Sequence, residues 1–338
     1  MTRSGHKRSV SSIDVAAHAG VSQATVSRVI SGSAPVSDKT REKVEIALKE
    51  LGYQPNLQAR ALKTQRTSTI AVVVADITNP FYPELVEALN EALSAQGQMM
   101  LLWDAAVAGD DDSVIAAIQQ RLVDGAIFAT AMRGSTTLRR AQELGLPVGL
   151  INRGLPTLDI DSVTSNNESG GRKIARYFLD AGRNPAIIAG PEVVSTSRER
   201  AAGFLAEWRE ARPDFEPHIS YLEFSHQCGR DFCAEVMSSK DPPDAIFATN
   251  DYTAFGVLDE AKRMGIRVPE DLWVVGYDDI YMSDWSPFDL TTVRQPTAKM
   301  AQVAVRLLLA RIGSRDWPTE SVRLEVELVI RGSTAFHQ

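Results

Sequence analysis

The chain has 338 residues, 44% of them hydrophobic, a formal net charge of −7 and two cysteines. That apolar share suffices for a small domain plus one or two core-bearing units of ordinary size. No stretch approaches the roughly 20 uninterrupted apolar residues of a membrane helix, and Met1–Ser12 carries charge but no apolar leader, so a cytoplasmic protein with no membrane partner is expected. Cys228 and Cys233 have no Cys or His partner at metal spacing, which argues against a disulfide framework and a zinc site and leaves two ordinary thiols.

The charge is divided between the ends of the chain. Residues 1–66 hold 11 Lys and Arg against 5 acids, and the remainder holds 25 against 38, so a head of +6 precedes a body of −13. A phosphate backbone attracts the first and repels the second.

In the head, Ser11–Asp14 has the spacing of a capping box and begins a helix that runs to Gly20, whose missing Cβ suits a tight turn. A second helix starts at Ser22. It places Val26, Val29 and Ile30 on one face and Gln23, Ala24, Ser27 and Arg28 largely on another. Ser37–Asp38 opens a third helix whose Val44, Ala47, Leu48 and Leu51 repeat at three- and four-residue spacing before Gly52. Any small bundle has capped helices and an apolar stripe. What distinguishes this one is the small, uncharged-to-basic outer face of its second helix, which fits a major groove where Gln and Arg make bidentate bonds to base edges.

Pro55–Asn56 then caps a predicted helix of about two turns, Leu57–Lys63, too short to be stable alone in water. Thr64–Ser68 is a polar connector. A plain linker with helical tendency is the other reading of this stretch.

From Ile70 short apolar runs alternate with helix-length segments. Ile70–Val74, Met99–Leu102, Ala126–Phe128 and Val148–Ile151 form a first series, separated by predicted helices Pro83–Gln96, Asp111–Leu122 and Thr136–Leu144. Ala186–Ala189, Ile219–Leu222, Ala245–Ala248 and Trp273–Val275 form a second. Strand–helix alternation twice over implies two parallel-sheet layers flanked by helices, with a ligand cleft between facing carboxyl ends of strands. Asp76 and Phe81 follow the first strand, Asn152 the fourth, Asn250 follows Ala248 and Asp278 follows Val275. Thr196 and Arg200 lie in the helix after Gly190–Pro191, and Phe224 offers a second aromatic face. Carboxylates and amides bond hydroxyls, aromatics cover a sugar face and Arg donates a fork of bonds, so these eight residues are the candidate effector contacts. Each of them reads individually as a loop-capping Asp or Asn, or as a core aromatic. The post-strand position shared by most of them favours the cleft.

Ile13–Ala16, Ala19–Ser22, Thr25–Val29 and Leu51–Tyr53 resemble the head of the lactose-repressor (LacI/GalR) family. Asp76–Phe81, Gly190–Pro191, Arg200–Phe204, Thr249–Asp251, Gly276–Asp279, Leu290–Pro296 and Ile330–Thr334 extend the resemblance over nearly the whole chain. It implies an N-terminal all-α helix-turn-helix domain (1–54), a hinge (55–68) and an α/β body (69–338) of two doubly wound parallel-sheet subdomains, like periplasmic binding proteins. The first subdomain is expected over about 69–165 and 292–338, with the C-terminal segment crossing back and a helix at Ala298–Ile312, and the second over about 166–291.

By the same resemblance Gln23, Ala24 and Arg28 read bases, Ser22, Thr25 and Ser27 contact backbone or adjacent bases, and the hinge helix supplies Asn56, Arg60, Leu62 and Lys63. Leu62 is the expected wedge in the minor groove, and Arg60 and Lys63 the expected backbone contacts. Asn152 stands where the family often has Asp, so this position has lost a charge. The implied protein is a repressor acting as a homodimer or higher assembly on a near-palindromic double-stranded operator, controlled by a sugar-like effector, with no cofactor, catalytic residue or metal. Two other classes are disfavoured. No phosphate-cradling glycine loop, nucleophile elbow or catalytic histidine spacing supports an enzyme, and the basic head and missing leader oppose a solute-binding protein that serves a transporter.

Overall fold

The computed structural model describes residues 10–31, 35–53, 66–75, 77–105, 112–132, 134–314 and 318–335. It divides into two compact units, Met1–Thr67 and Ser68–Gln338. The expected hinge helix at 57–63 lies outside the described residues.

The first unit has three helices: α1 (Ser12–Ala19), α2 (Gln23–Ser31) and α3 (Asp38–Glu50). Ser11 and Asp14 form the capping box reciprocally. Ser11 Oγ accepts from the Asp14 N–H at 3.3 Å, and Asp14 Oδ2 accepts from the Ser11 N–H at 2.8 Å. Gly20 ends α1 in the left-handed region, φ 67°, where an L side chain is disfavoured. Val15, Ala16, Val26, Val29, Val44 and Ala47 form the core of this unit, with Ile30, Leu48 and Leu51 packed at its edge.

In the second unit, eight apolar runs of the sequence become strands. The first sheet contains β1 (Thr69–Val74), β2 (Met99–Asp104), β3 (Gly125–Phe128), β4 (Val148–Ile151), β5 (Asp161–Ser165) and β11 (Ser321–Leu324), in the order β11-β5-β4-β3-β1-β2 and parallel throughout. Helices α4 (Phe81–Ala95), α5 (Asp112–Gln119) and α6 (Thr136–Glu143) connect its first four strands. The second sheet contains β6 (Pro185–Ala189), β7 (His218–Tyr221), β8 (Ala245–Ala248) and β9 (Trp273–Val275), in the parallel order β7-β6-β8-β9. Its helices are α7 (Asn167–Asp180), α8 (Ser195–Ala211), α9 (His226–Met237) and α10 (Asp251–Arg263).

After β9 the chain forms a 3-10 turn (Tyr281–Asp284), β10 (Thr292–Arg294), α11 (Thr297–Gly313), β11 and β12 (Glu327–Val329). Helix α11 packs on α4, β3, β4 and β5, which makes it part of the first subdomain. The assignment of all of 292–338 to that subdomain needs correction. β10 and β12 pair with each other antiparallel, Asp278 bridges to Arg294, and Ser333 Oγ donates to the Val274 carbonyl at 2.6 Å, so 292–294 and 327–335 belong with the second subdomain. The chain therefore crosses three times, at 165–167, 294–297 and 324–327.

Strand β5 has no apolar run, yet all five of its residues are buried. Polar burial is tolerated here because it is satisfied. Arg311 pairs with Asp161 at 2.9 Å, Ser162 Oγ lies 3.0 Å from Ser321 Oγ, and Ser165 Oγ donates to Gln295 Oε1 at 2.7 Å.

Helices α7 and α8 pack backbone to backbone through two glycines. A Cβ on Gly171 would stand 2.1 Å from the Arg200 carbonyl oxygen, and one on Gly203 would stand 2.2 Å from that of Glu168. Both obstacles are main chain, so only separation of the helices relieves them. Gly171→Ala is expected to destabilise the second unit by roughly 2 kcal/mol or more despite alanine's better helix propensity. A urea unfolding midpoint equal to or above the wild type would refute this account of the packing.

Candidate functional site

On α2 the core side and the outer side separate as its periodicity requires. Val26 and Val29 are buried, Thr25 and Ile30 are half-buried, and Ser22, Gln23, Ala24, Ser27 and Arg28 are exposed. The start of the helix is fixed by Ser22, whose Oγ accepts from the Thr25 N–H at 3.2 Å and lies 2.9 Å from Thr25 Oγ1. Gln23 Nε2 donates to Ser12 Oγ at 2.9 Å, which orients the first outward residue against the start of α1. The other DNA-contact candidates, Asn56, Arg60, Leu62 and Lys63, lie outside the described residues, as does Asp76 of the effector set.

In the second unit Arg200 and Asp278 meet. Helix α8 carries Arg200 and the turn after β9 carries Asp278, which is held at φ 126°. Arg200 Nη1 donates to Asp278 Oδ1 at 2.9 Å and to the Thr249 carbonyl at 2.7 Å. Its Nε donates to Asn167 Oδ1 at 2.9 Å, and its guanidinium lies 3.7 Å above the Tyr277 ring. Asp278 Oδ1 also accepts from Gln295 Nε2 at 2.7 Å. Ser165, Asn167 and Gln295 stand at two of the chain crossings, so the pair is wired directly to the segments that join the subdomains. Sequence reasoning assigned no role to those three residues; Gln295 lay inside a recognised motif, and the other two sat beside a polar strand that gave no signal.

Burial pushes the Asp278 carboxyl up to about 7, against the opposing pull of the Arg200 guanidinium. Nearby Asp251 is fully buried and accepts from the Ile280 N–H, Ser283 Oγ and Thr292 Oγ1, yet burial still raises it to about 6. Across the subdomains, Glu84 of α4 accepts from the Tyr281 N–H at 2.8 Å, and burial holds its carboxyl above the ordinary range.

The remaining candidates take distinct places. Asn250 caps α10, its Oδ1 accepting from the Thr253 N–H at 3.0 Å, beside the carbonyl that Arg200 holds. Phe224 lies over Gly190, where a Cβ would meet its ring at 2.1 Å. Thr196 is buried in the first turn of α8. Phe81 packs into the core edge-on to Tyr82, with ring centroids 5.5 Å apart, so it does not present an open face. Asn152 is buried in the left-handed region at φ 69°, and its Oδ1 has no hydrogen-bond partner. Arg153, which sequence reasoning passed over, is buried beside it. A small cavity of about 100 Å³ lies between the subdomains, with Ala131 and Gly154–Thr157 on one side and Val193, Ser195 and Arg198 on the other. The surface hollow of about 670 Å³ between α10 and the C-terminal residues contains none of the candidate residues.

A three-helix head with a polar outer helix, joined to two parallel-sheet subdomains that enclose a polar cluster, defines a DNA-binding regulator with a periplasmic-binding-protein-like sensor. Residues 13–56 match the model of bacterial regulatory proteins of the lacI family, and residues 175–334 match a periplasmic binding protein-like domain. The HTH-type transcriptional regulator DegA of Bacillus subtilis is 34% identical over 95% of this chain and 97% of its own length. The structure of the transcriptional regulator CelR in complex with cellobiose superposes with a TM-score of 0.73 at 32% identity, covering 96% of this chain and 99% of that one. The Lac repressor dimer bound to operator and the anti-inducer ONPF gives a TM-score of 0.82 at 26% identity, covering 97% and 100%. The chain belongs to the LacI family of transcriptional regulators.

The pH response of the buried pair has a definite sign. In the unfolded chain Asp278 titrates near ~3.9, and in the fold its carboxyl is raised to about 7. The protonated form is favoured by folding, so the contribution is fully present below about pH 4 and is lost as pH rises through about 7. Asp278→Asn should therefore gain stability relative to the wild type between pH 5 and 8, on the order of 1 kcal/mol or more. A wild-type-minus-variant difference that stays flat across parallel denaturation curves would contradict this.

Proposed function

We propose that this LacI-family regulator is a repressor that binds a near-palindromic operator as a homodimer, with its affinity set by a carbohydrate-type effector held between the two subdomains. The observation that carries this reading is the Arg200–Asp278 pair. It is a donor–acceptor couple suited to hydroxyls, and hydrogen bonds tie it to Ser165, Asn167 and Gln295 at the crossings. An effector that inserts between Arg200 and Asp278 would exchange their mutual contact for its own hydroxyls and shift the strain onto those crossings. The CelR complex with cellobiose and the operator-bound Lac repressor dimer support the effector class and the assembly.

In the head, Gln23 and Arg28 are assigned to base edges, Ala24 to an apolar contact, and Ser22, Thr25 and Ser27 to the backbone or adjacent bases. Residues 55–68, with Asn56, Arg60, Leu62 and Lys63, are assigned to hinge contacts, Leu62 as the minor-groove wedge. Thr196, Phe224 and Asn250 join Arg200 and Asp278 on the second-subdomain side, and Asp76 and Asn152 are placed on the first, while Phe81 supports that side from the core. The reading assigns no chemical reaction to the chain and places its action on cytoplasmic DNA. Among the described residues no helix is long and apolar enough to cross a membrane.

Selection of operator sites from random duplexes, with and without a panel of sugars, tests both halves. The expected result is a palindromic site whose retention changes with one compound; enrichment of no DNA under any condition would refute the head assignment. Arg28→Ala should relax sequence preference at one base position by about 1–3 kcal/mol while leaving effector affinity unchanged. Arg200→Ala should abolish the effector response and spare operator binding, and a normal sugar titration in that variant would remove Arg200 from the site.

A further inference from the structure

Among the described residues, the buried cation Arg153 has no counter-charge. It follows β4 two residues after Ile151, and the residue is 9% exposed. Nη2 donates to the Tyr82 hydroxyl at 2.9 Å and Nη1 to the Thr130 carbonyl at 3.4 Å, while Nε is buried with no hydrogen-bond partner. Among the described residues no carboxylate stands within ion-pair distance of it. A buried lysine or carboxylate escapes such a position by losing its charge, but a guanidinium does not. Buried and uncompensated, it raises the free energy of the unliganded fold and favours any anion that reaches it.

Its surroundings point the same way. Asn152, the preceding residue, offers a buried Oδ1 with no donor. The small cavity beside Gly154 brings in Arg198 from the opposite subdomain, where its Nη1 donates to the Glu192 carbonyl at 3.0 Å. Asp278, the carboxylate of the described candidate set, is already matched to Arg200 and Gln295. At about 100 Å³, and lined by Gly154 rather than by Asn152 or Arg153 themselves, the cavity is well below the several hundred Å³ of a site enclosing a complete ligand and has room beside them for a group of a few atoms.

Resting on the effector-cleft reading above, we infer that the effector is an anionic carbohydrate, whose carboxylate or phosphate neutralises Arg153 while a neighbouring hydroxyl donates to Asn152 Oδ1. Arg153 is then the residue that selects acidic over neutral sugars. A guanidinium fork recognises either anion bidentately.

Thermal unfolding of the full chain, at constant ionic strength, decides the matter with D-gluconate, D-galacturonate and glucose 6-phosphate as anionic probes and glucose, galactose and cellobiose as neutral ones. At least one anionic probe should raise the melting temperature of the wild type while the neutral sugars do not, and whether it is an acid or the phosphate ester identifies the group. Without ligand, Arg153→Met should melt at the wild-type temperature or above, and its affinity for the stabilising probe should fall by about tenfold or more. Arg153→Gln serves as the second variant if Arg153→Met does not fold.

A lower melting temperature in both variants without ligand would mean that Arg153 is neutralised from within the chain, and the inference falls. It falls equally if no anionic probe stabilises the wild type, or if neutral sugars stabilise wild type and variant alike. In the last case the sugar-effector reading stands while the anionic preference is lost. Operator binding by the same samples separates the two levels, because its absence in the wild type counts against the proposed function and not against Arg153.

Discussion

The organisation of the sensor depends on a single buried ion pair. Arg200 and Asp278 are both nearly inaccessible to water, with side-chain exposures of 3% and 6%. A pair in that position gains Coulomb energy only after a desolvation penalty of several kcal/mol per ion, so its net value to stability is small unless further hydrogen bonds complete it. Here they do. Asn167, the Thr249 carbonyl, Gln295 and the Tyr277 ring each add a contact to the pair. The consequence is positional more than energetic, since disturbing either charge moves groups at the crossings between subdomains.

That arrangement suits a switch better than a plain scaffold would. Burial pushes the carboxyl of Asp278 up to about 7 while the guanidinium beside it pulls the other way. A group under such opposed influences responds to a hydroxyl donor or to a change in local dielectric. Two further buried or half-buried carboxyls, Asp251 and Glu84, flank the same junction and are also raised by burial. Acidic groups thus gather from both sides where the second subdomain meets the first, and the first-subdomain loop after β4 carries Arg153, which pairs with no carboxylate among the described residues.

Much of this architecture was legible in the sequence, for identifiable reasons. Buried parallel strands must be apolar throughout, so β1, β3, β4, β6, β8 and β9 stood out as short hydrophobic runs, and the edge strands β2 and β7 carried apolar runs although they are largely exposed. The head was equally legible, because capping at Ser11 and Asp14 and the turn at Gly20 use residue types that backbone geometry requires. Strand β5 was invisible because Asp161, Ser162 and Ser165 are satisfied by partners far along the chain, which no local pattern reveals. The last crossing was misplaced for the same reason: β10 and β12 have only three residues each and are held by pairing across more than thirty positions of sequence.

The candidate site was legible as a set of residue types but not as a set of roles. The post-strand position marked Asn250 and Asp278 equally, yet one caps a helix and the other joins a charge network. The difference lies in what faces each side chain across the sheet, and sequence does not carry that. Arg153 shows the converse. A single arginine after a strand is ordinary in sequence, and its significance appears only when its surroundings are found to supply a phenol and a carbonyl where a carboxylate would be expected. Burial without compensation is a property of three-dimensional placement, so the strongest indication of ligand charge in this protein comes from a contact that none of the described residues makes.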